Sequence, residues 1–249
     1  MELVSIIMPY YQKKDYVFET IKHVINQSYK NFELIIIFDE NDEKFLKKLQ
    51  NFIQSDQRIK LILNEKNIGA GESRNIGINH ARGNYICFLD SDDLWMQNKI
   101  EHQLNFMEKN NYMISHTSYH IINKDDKVIG FREAKYLDYN KLIYSCDVGL
   151  STVMMRKEIL KKNIKFCNQK TKEDYIYWLN ISSEGFNFFP LKKTLVNWRK
   201  TSNSLSSSII QKLFDGYKVY RIHLKFGILK SILHLLLLSF NFLKKVILK

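Results

Sequence analysis

The chain has 249 residues, 45% of them hydrophobic, with only two prolines and nine glycines, a composition that excludes a disordered protein and supports a large folded core. Its formal net charge of +12 leaves nucleic acid, an anionic membrane surface and phosphorylated substrates as partner classes. Three cysteines, Cys87, Cys146 and Cys167, are far apart and odd in number, which excludes a secreted disulfide framework and a cysteine metal site and points to a reducing compartment.

Met1-Glu2-Leu3 leads straight into apolar sequence without the basic region or cleavage site of a signal peptide, so the chain is expected in the cytosol. Leu3 to Met8 reads as a buried strand closed by Pro9. Asp15 to Gln27 reads as a helix, with Asp15 as N-cap and Phe18, Ile21 and Val24/Ile25 on one face. Residues 34–38 form a second strand, with Asp39 at its carboxyl end. Phe45, Leu49 and Phe52 mark a second helix, and Ile59 to Leu63 a third strand. The loop 64–71 leads into a short helix from Ser73 to about Ala81. The run Tyr85 to Leu89 then ends in Asp90-Ser91-Asp92-Asp93. Four unbroken apolar strands alternating with helices predict an α/β fold with a Rossmann-like, doubly wound, mostly parallel sheet. Asp39 and Asp90 then share the carboxyl edge, where ligands of such sheets collect.

Farther along, Ile100, Leu104 and Met107 make one helical face. Met113 to Ile122 and Val128 to Phe131 predict strands around a turn at Asn123-Lys124-Asp125-Asp126, and Thr152 to Met155 a further strand. Glu173-Asp174 opens a helix with Tyr175, Trp178 and Leu179 inward and Gly185 just past its end. Residues 209–249 read as two helices, the second apolar except for Lys230, His234, Asn241 and its closing lysines. Lys212, Lys218, Arg221, Lys225, Lys230, Lys244, Lys245 and Lys249 stand there against one acid, Asp215. Basic and apolar residues interleaved in this way suit a membrane surface better than a nucleic-acid groove, and no nucleic-acid-binding motif is present. The run Leu235 to Leu238 is far short of the roughly 20 apolar residues of a span. The segment is expected to lie on the membrane, to pack on the protein, or to pair in a homodimer.

Several residues carry chemistry. The carboxylates of Asp90-x-Asp92 are oxygen ligands for a hard cation such as Mg²⁺ or Mn²⁺, one reaching a ribose hydroxyl and the other a metal that bridges two phosphates. Acids are also favoured at helix N-termini, so Ser91 or Asp93 is expected to cap a helix beginning near Trp95. Asp39 is placed to accept a nucleobase N–H. Arg74, at a helix start after a glycine-bearing loop, is either a phosphate ligand or a solvated surface arginine. Glu173-Asp174 is either a helix-start acid pair or the source of a base for an acceptor hydroxyl. Trp198-Arg199-Lys200-Thr201 with Ser202-Asn203-Ser204 reads as a basic loop that closes over a phosphate. The histidines show no paired ligand spacing, and His80, His116 and His120 are read as structural.

Val4-Ser5-Ile6-Ile7-Met8-Pro9-Tyr10-Tyr11, Asn26-Gln27-Ser28-Tyr29, Asn67-Ile68-Gly69, Ser73-Arg74-Asn75-x-Gly77, Ala81-x-Gly83-x-Tyr85-Ile86, Phe88-Leu89-Asp90-Ser91-Asp92-Asp93 and Glu173-Asp174-Tyr175 with Trp178-Leu179 together resemble the inverting family-two glycosyltransferases of GT-A fold, over about residues 3 to 206. Phe106 to Asn123 and Ser204-Leu205-Ser206 look most like bacterial transferases of cell-surface polysaccharide assembly, including the teichuronic-acid type. The resemblance implies a nucleotide-sugar donor, usually UDP-linked, held by Pro9, Tyr11, Asp39, Asn67, Gly69, Arg74, Asp90, Ser91 and Arg199. It implies Mn²⁺ or Mg²⁺ on Asp92, Asp174 as general base, and Glu173 and Trp198 at a saccharide or lipid-linked acceptor. It also implies a division into a donor half (residues 1–110), an acceptor and base half (111–207) and a C-terminal segment (208–249) at the inner membrane face.

The chain departs from the family at Phe38, where a first acid is usual, and at Thr201, where many members have His or Arg. The second departure shifts closure over the diphosphate to Arg199 or Lys200. No Gln-x-x-Arg-Trp motif of processive synthases is present, so one sugar is expected per acceptor visit. A sugar-phosphate nucleotidyltransferase would need a glycine-rich loop where Pro9-Tyr10-Tyr11-Gln12-Lys13 stands. A dinucleotide oxidoreductase would need a glycine where Arg74 stands. A non-catalytic nucleotide-sugar-binding scaffold is the alternative from another class.

Overall fold

The computed structural model describes residues 1–201 and 209–247, so Ser202-Asn203-Ser204 and Ser204-Leu205-Ser206 lie outside the described residues. The apolar runs of the first half become β1 (Val4–Tyr10), β2 (Phe32–Phe38), β3 (Ile59–Leu63) and β4 (Tyr85–Phe88), parallel and ordered β3-β2-β1-β4. Every residue of β2 is buried, as a strand covered on both faces requires. One face is covered by α1 (Val17–Ile25), α2 (Glu43–Ile53) and α4 (Lys99–Asn110), whose Val17, Ile21, Leu49, Ile100 and Leu104 close on Ile6, Met8 and Leu34. Against the other lie α3 (Ala70–His80) and α6 (Glu173–Ser183); Tyr177 of α6 stacks on Phe166, and both meet Phe88 edge-on. The chain reverses its strand order between β1 and β4, so the carboxyl ends of β2, β1 and β4 open on one crevice.

The sheet continues past β4 in mixed form. After β5 (Leu94–Trp95), β6 (Ile114–Ile122), β7 (Val128–Arg132) and the short α5 (Tyr139–Leu142), β8 (Met154–Arg156) pairs antiparallel with both β4 and β6. β9 (Phe189–Arg199) runs parallel to β6 and carries β5 antiparallel on its outer edge, giving nine strands in one sheet. β7 returns along β6 through the predicted turn, where Asn123 Oδ1 accepts from the N–H groups of Asp125 and Lys127. Neither β5 nor β9 is legible in the sequence. Pro190 and Lys192-Lys193 interrupt the alternation of β9, whose ladder with β6 is itself irregular.

Four boundaries differ from expectation. Pro9 lies within β1, opposite Ile37. Ile7 O accepts from Leu89 N on the β4 side and Tyr10 O from Asp39 N on the β2 side, so Pro9's nitrogen points toward β4 beyond the end of that ladder, where no N–H is required. Asp15 is not the N-cap of α1; Tyr16 holds that place without a side-chain hydrogen bond. α3 starts at Ala70 rather than Ser73, and Gly71 in its first turn packs against the Cys167 carbonyl too closely for a side chain. No helix begins near Trp95; that residue is in β5, and α4 starts at Lys99.

The final described elements are α7 (Ile209–Lys218), which passes through a π turn at Val219–His223, and α8 (Ile228–Ile247), in keeping with the two helices expected.

Candidate active site

The acidic turn follows β4 at the carboxyl edge, and its four residues have different tasks. Asp93 is buried and does not cap a helix. Its Oδ2 accepts from Ser151 Oγ at 2.5 Å and its Oδ1 from the backbone N–H of Arg199 at 2.8 Å. Burial, with Asp92 and Asp90 beside it, holds its carboxyl well above the ordinary range. Ser151 Oγ also accepts from the Asp90 N–H at 3.1 Å, so one serine pins both ends of the turn. Ser91 is buried too, and its carbonyl accepts from Thr20 Oγ1.

Asp92 faces the crevice, where Lys13 Nζ lies 2.6 Å from its Oδ2 and donates to Thr201 Oγ1 at 3.3 Å. Sequence reasoning passed over Lys13; its place in the loop after β1, on the same sheet edge as the acids, was the available signal. Burial holds the Asp92 carboxyl above the ordinary range, Lys13 opposing and Asp90 adding to the effect. Three carboxylates within four residues, two of them held above their ordinary range by burial and by their neighbours, face Lys13 and Arg74 as counter-charges, and a bound cation would relieve their repulsion further. Together with an all-oxygen donor set, this fits a hard divalent cation. Among the described residues no group of three His, Cys, Asp or Glu side chains is arranged to hold an ion. Asp92 would therefore be the protein's side-chain ligand to such an ion, with the remaining ligands supplied from outside the protein.

Arg74 is not a surface residue, and two carboxylates engage the tip of its guanidinium. It is 4% exposed, and its guanidinium spans Asp90 Oδ1 and Glu173 Oε1, each at 2.8 Å. Burial opposes its charge, yet Asp90 and Glu173 together hold its pKa above the ordinary value. This bridge draws the amino end of α6 to the acidic turn. Asp174, one residue on, accepts from the Tyr175 N–H at 2.7 Å and is held above the ordinary range by burial, against the pull of Arg74. Burial pushes Glu173 up to about 7, with Arg74 opposing and Asp174 assisting.

At the end of β2, Asp39 is buried and its carboxylate is fully engaged. Asn64 Nδ2 and the Ile68 N–H donate to Oδ1, and Asn67 Nδ2 and the Gly69 N–H to Oδ2, at 2.8–3.1 Å. Four donors fill a carboxylate's four lone-pair sites, so Asp39 shapes the 64–69 loop, and a base N–H would have to share an oxygen. Gly69 ends that loop at φ +88°, ψ 163°, a region essentially closed to side chains. Gly69→Ala is expected to cost about 1–3 kcal/mol and to lower nucleotide affinity, as a denaturation curve and a binding titration would measure.

Arg199 is likewise committed. It is 3% exposed, its Nε donates to the Asp92 carbonyl at 2.9 Å, its Nη1 meets Asp126 at 2.5 Å, and the guanidinium lies over the Tyr16 ring. It clamps the acidic turn to the β6–β7 turn, and its Nη2 lies 3.3 Å from Glu19 Oε2, so each guanidinium nitrogen already has a partner. Lys200 is exposed beside it, Trp198 is half-buried on β9, and Tyr11 is exposed in the loop after Pro9. The structure thus gathers Asp90, Asp92, Arg74, Glu173 and Asp174, sets Asp39, Asn67 and Gly69 at the next strand end, and uses Arg199 as a brace.

An open α/β sheet with this acidic carboxyl edge and a mixed second half is the GT-A fold. S. aureus TarS residues 1–349, solved in complex with UDP-GlcNAc, superposes with a TM-score of 0.74 over 94% of this chain and 70% of that one, at 20% identity. The putative teichuronic acid biosynthesis glycosyltransferase TuaG of Bacillus subtilis is 34% identical over 223 residues, 88% of this chain and 87% of that protein. WfgD of Escherichia coli, a UDP-Glc:alpha-D-GlcNAc-diphosphoundecaprenol beta-1,3-glucosyltransferase, is 37% identical over 218 residues, 85% of this chain and 82% of its own. The family model of glycosyl transferase family 2 matches residues 5–164. The chain belongs to that family and is a glycosyltransferase.

Proposed function

We propose that the protein moves one hexose from a UDP-sugar to a saccharide carried on a lipid diphosphate, with inversion, during assembly of a cell-surface polysaccharide at the inner face of the membrane. The observation that carries this reading is the Arg74 bridge, which places the Glu173-Asp174 pair beside the acidic turn. The donor and acceptor classes are taken from the relatives: UDP-GlcNAc is bound to TarS, and the name of WfgD specifies UDP-Glc and a lipid diphosphate acceptor.

In this reading residues 1–110 receive the donor. Its base rests against the Asn67–Gly69 loop that Asp39 holds, flanked by Pro9 and Tyr11, and Asp90 and Ser91 stand at the ribose. Asp92 holds Mn²⁺ or Mg²⁺, which when bound offsets charge on the departing diphosphate. Lys13 turns from Asp92 toward a diphosphate oxygen. Residues 111–207 receive the acceptor, with Trp198 and Glu173 at its sugar. Asp174 removes the proton of the acceptor hydroxyl as that oxygen bonds to the anomeric carbon. The bond from that carbon to the nucleoside diphosphate breaks on the opposite face, so configuration inverts. Arg74 keeps base and donor in register, and the orientation lowers the barrier by holding the reactants together.

The test is calorimetric titration with UDP, GDP, CDP and dTDP, with and without Mn²⁺. UDP is expected to bind most tightly, to require the metal, and to lose that requirement together with most of its affinity in Asp92→Ala, whose melting curve stays cooperative. Equal affinity with and without metal, in both proteins, would remove Asp92 from this role.

A further inference from the structure

Helix α8 is inside out. The stripe it turns to the protein holds its polar residues: Ser231 and His234 are buried with Leu238, and Asn241 donates to the Tyr144 carbonyl at 2.9 Å. His234 also stacks on the Tyr144 ring. Its outer side is apolar, with Leu229 84%, Leu233 54%, Leu236 61% and Phe240 56% exposed. A helix on a water-facing surface shows the reverse pattern. Ile210 and Phe214 of α7 and Ile222 of the π turn extend the exposed apolar surface, which is of the kind that marks an interaction site.

We infer that α7 and α8 form an in-plane docking face for an anionic lipid bilayer. Charge selects the occupant. Among residues 209–247 the cations are Lys212, Lys218, Arg221, Lys225, Lys230, Lys244 and Lys245, and the one acid, Asp215, is buried, accepts from Thr171 Oγ1 at 2.7 Å and pairs with Lys218 at 3.6 Å, which leaves the other six without an acid in this segment. A second copy would bring like charges together, whereas anionic headgroups are opposite in sign to this segment. No helix among the described residues is long and apolar enough to cross a membrane, so the apolar face lies in the headgroup boundary with its lysines reaching outward.

The docking face is joined directly to the catalytic side. Thr171, held by Asp215, precedes the Glu173-Asp174 pair, and Tyr220 OH lies 3.3 Å from Tyr175 OH on α6. Seating α8 in a bilayer therefore sets Asp174 at the interface where a lipid diphosphate presents its sugar; this consequence rests on the acceptor proposed above.

The test is co-sedimentation of the full chain with vesicles of phosphatidylcholine containing phosphatidylglycerol. Wild-type protein is expected to sediment, with affinity falling on the order of tenfold or more on pure phosphatidylcholine. The triple variant Leu229→Glu, Leu233→Glu, Leu236→Glu alters only exposed positions. It is expected to melt and to bind UDP as wild type does, to remain in the supernatant, and to lose transfer to a vesicle-borne acceptor but not to a short-chain soluble one. Wild-type protein that stays in the supernatant, a triple variant that sediments like wild type, or a dimer that the triple variant dissociates while neither protein binds vesicles would each overturn the proposal. Vesicle binding with no nucleotide binding would leave the docking face standing and overturn the donor assignment proposed above.

Discussion

Asp174→Asn is expected to slow transfer by roughly 10²–10⁴-fold while changing UDP affinity by no more than about twofold, because a general base acts in the transition state and not on the donor. The amide keeps the shape of the carboxylate and its oxygen still accepts the Tyr175 N–H, so loss of the proton acceptor is isolated from loss of packing. The pH dependence supplies an independent check. Burial raises Asp174, and it raises Glu173 to about 7. A raised carboxyl pKa keeps the proton on until a higher pH, and a protonated Asp174 cannot take another. Transfer by the wild type should therefore fall on acidification from a pH above the ordinary carboxylate range, with the pair titrating as a unit. Initial rates between pH 5 and 9 at saturating donor measure this. A flat profile, with Asp174→Asn as active as wild type, would assign the proton transfer to another group.

The second large effect is expected at Arg74. Arg74→Met leaves Asp90 and Glu173 facing each other without a counter-charge; removing one partner of a fully buried ion pair costs about 3–5 kcal/mol, and the loss here is expected to be smaller because the Asp90 side chain is 33% exposed. Arg74→Lys should recover little, since an ammonium lacks the planar fork that reaches two carboxylates at once. The double variant Arg74→Met, Glu173→Gln removes the orphaned charge and should regain part of the stability without regaining activity, because Asp174 then loses its tether to the acidic turn. Chemical denaturation separates these outcomes. A single Arg74→Met variant as stable as wild type would mean that the bridge contributes nothing to the fold.

Much of this arrangement is legible before any coordinates. The parallel strands announce themselves because a strand covered on both faces is apolar at every position, as β2 is. The acidic turn is visible because three carboxylates break such a run, and the Glu173-Asp174 pair because it opens an apolar helix. The bridging roles of Arg199 and Arg74 were not legible for a common reason. An arginine near a glycine loop or an acidic turn has the same local sequence whether it meets a phosphate or another part of the protein. Their partners, Asp126, Asp90 and Glu173, come from distant segments. Lys13 was missed because a single lysine in a loop carries no pattern, and β9 because its polar positions spoil the alternation.

The amino-acid sequence by itself determined the parallel strands and the edge on which the carboxylates gather, since both follow from apolar periodicity and local spacing, and its motifs carried the resemblance to the family. Only the tertiary structure decided which carboxylates remain open to a ligand, which cations are spent as braces, and which side of α8 faces outward. Burial and ion pairing arise between segments far apart in the chain. A helix of mixed composition does not declare which stripe it will bury until the surface beneath it is built.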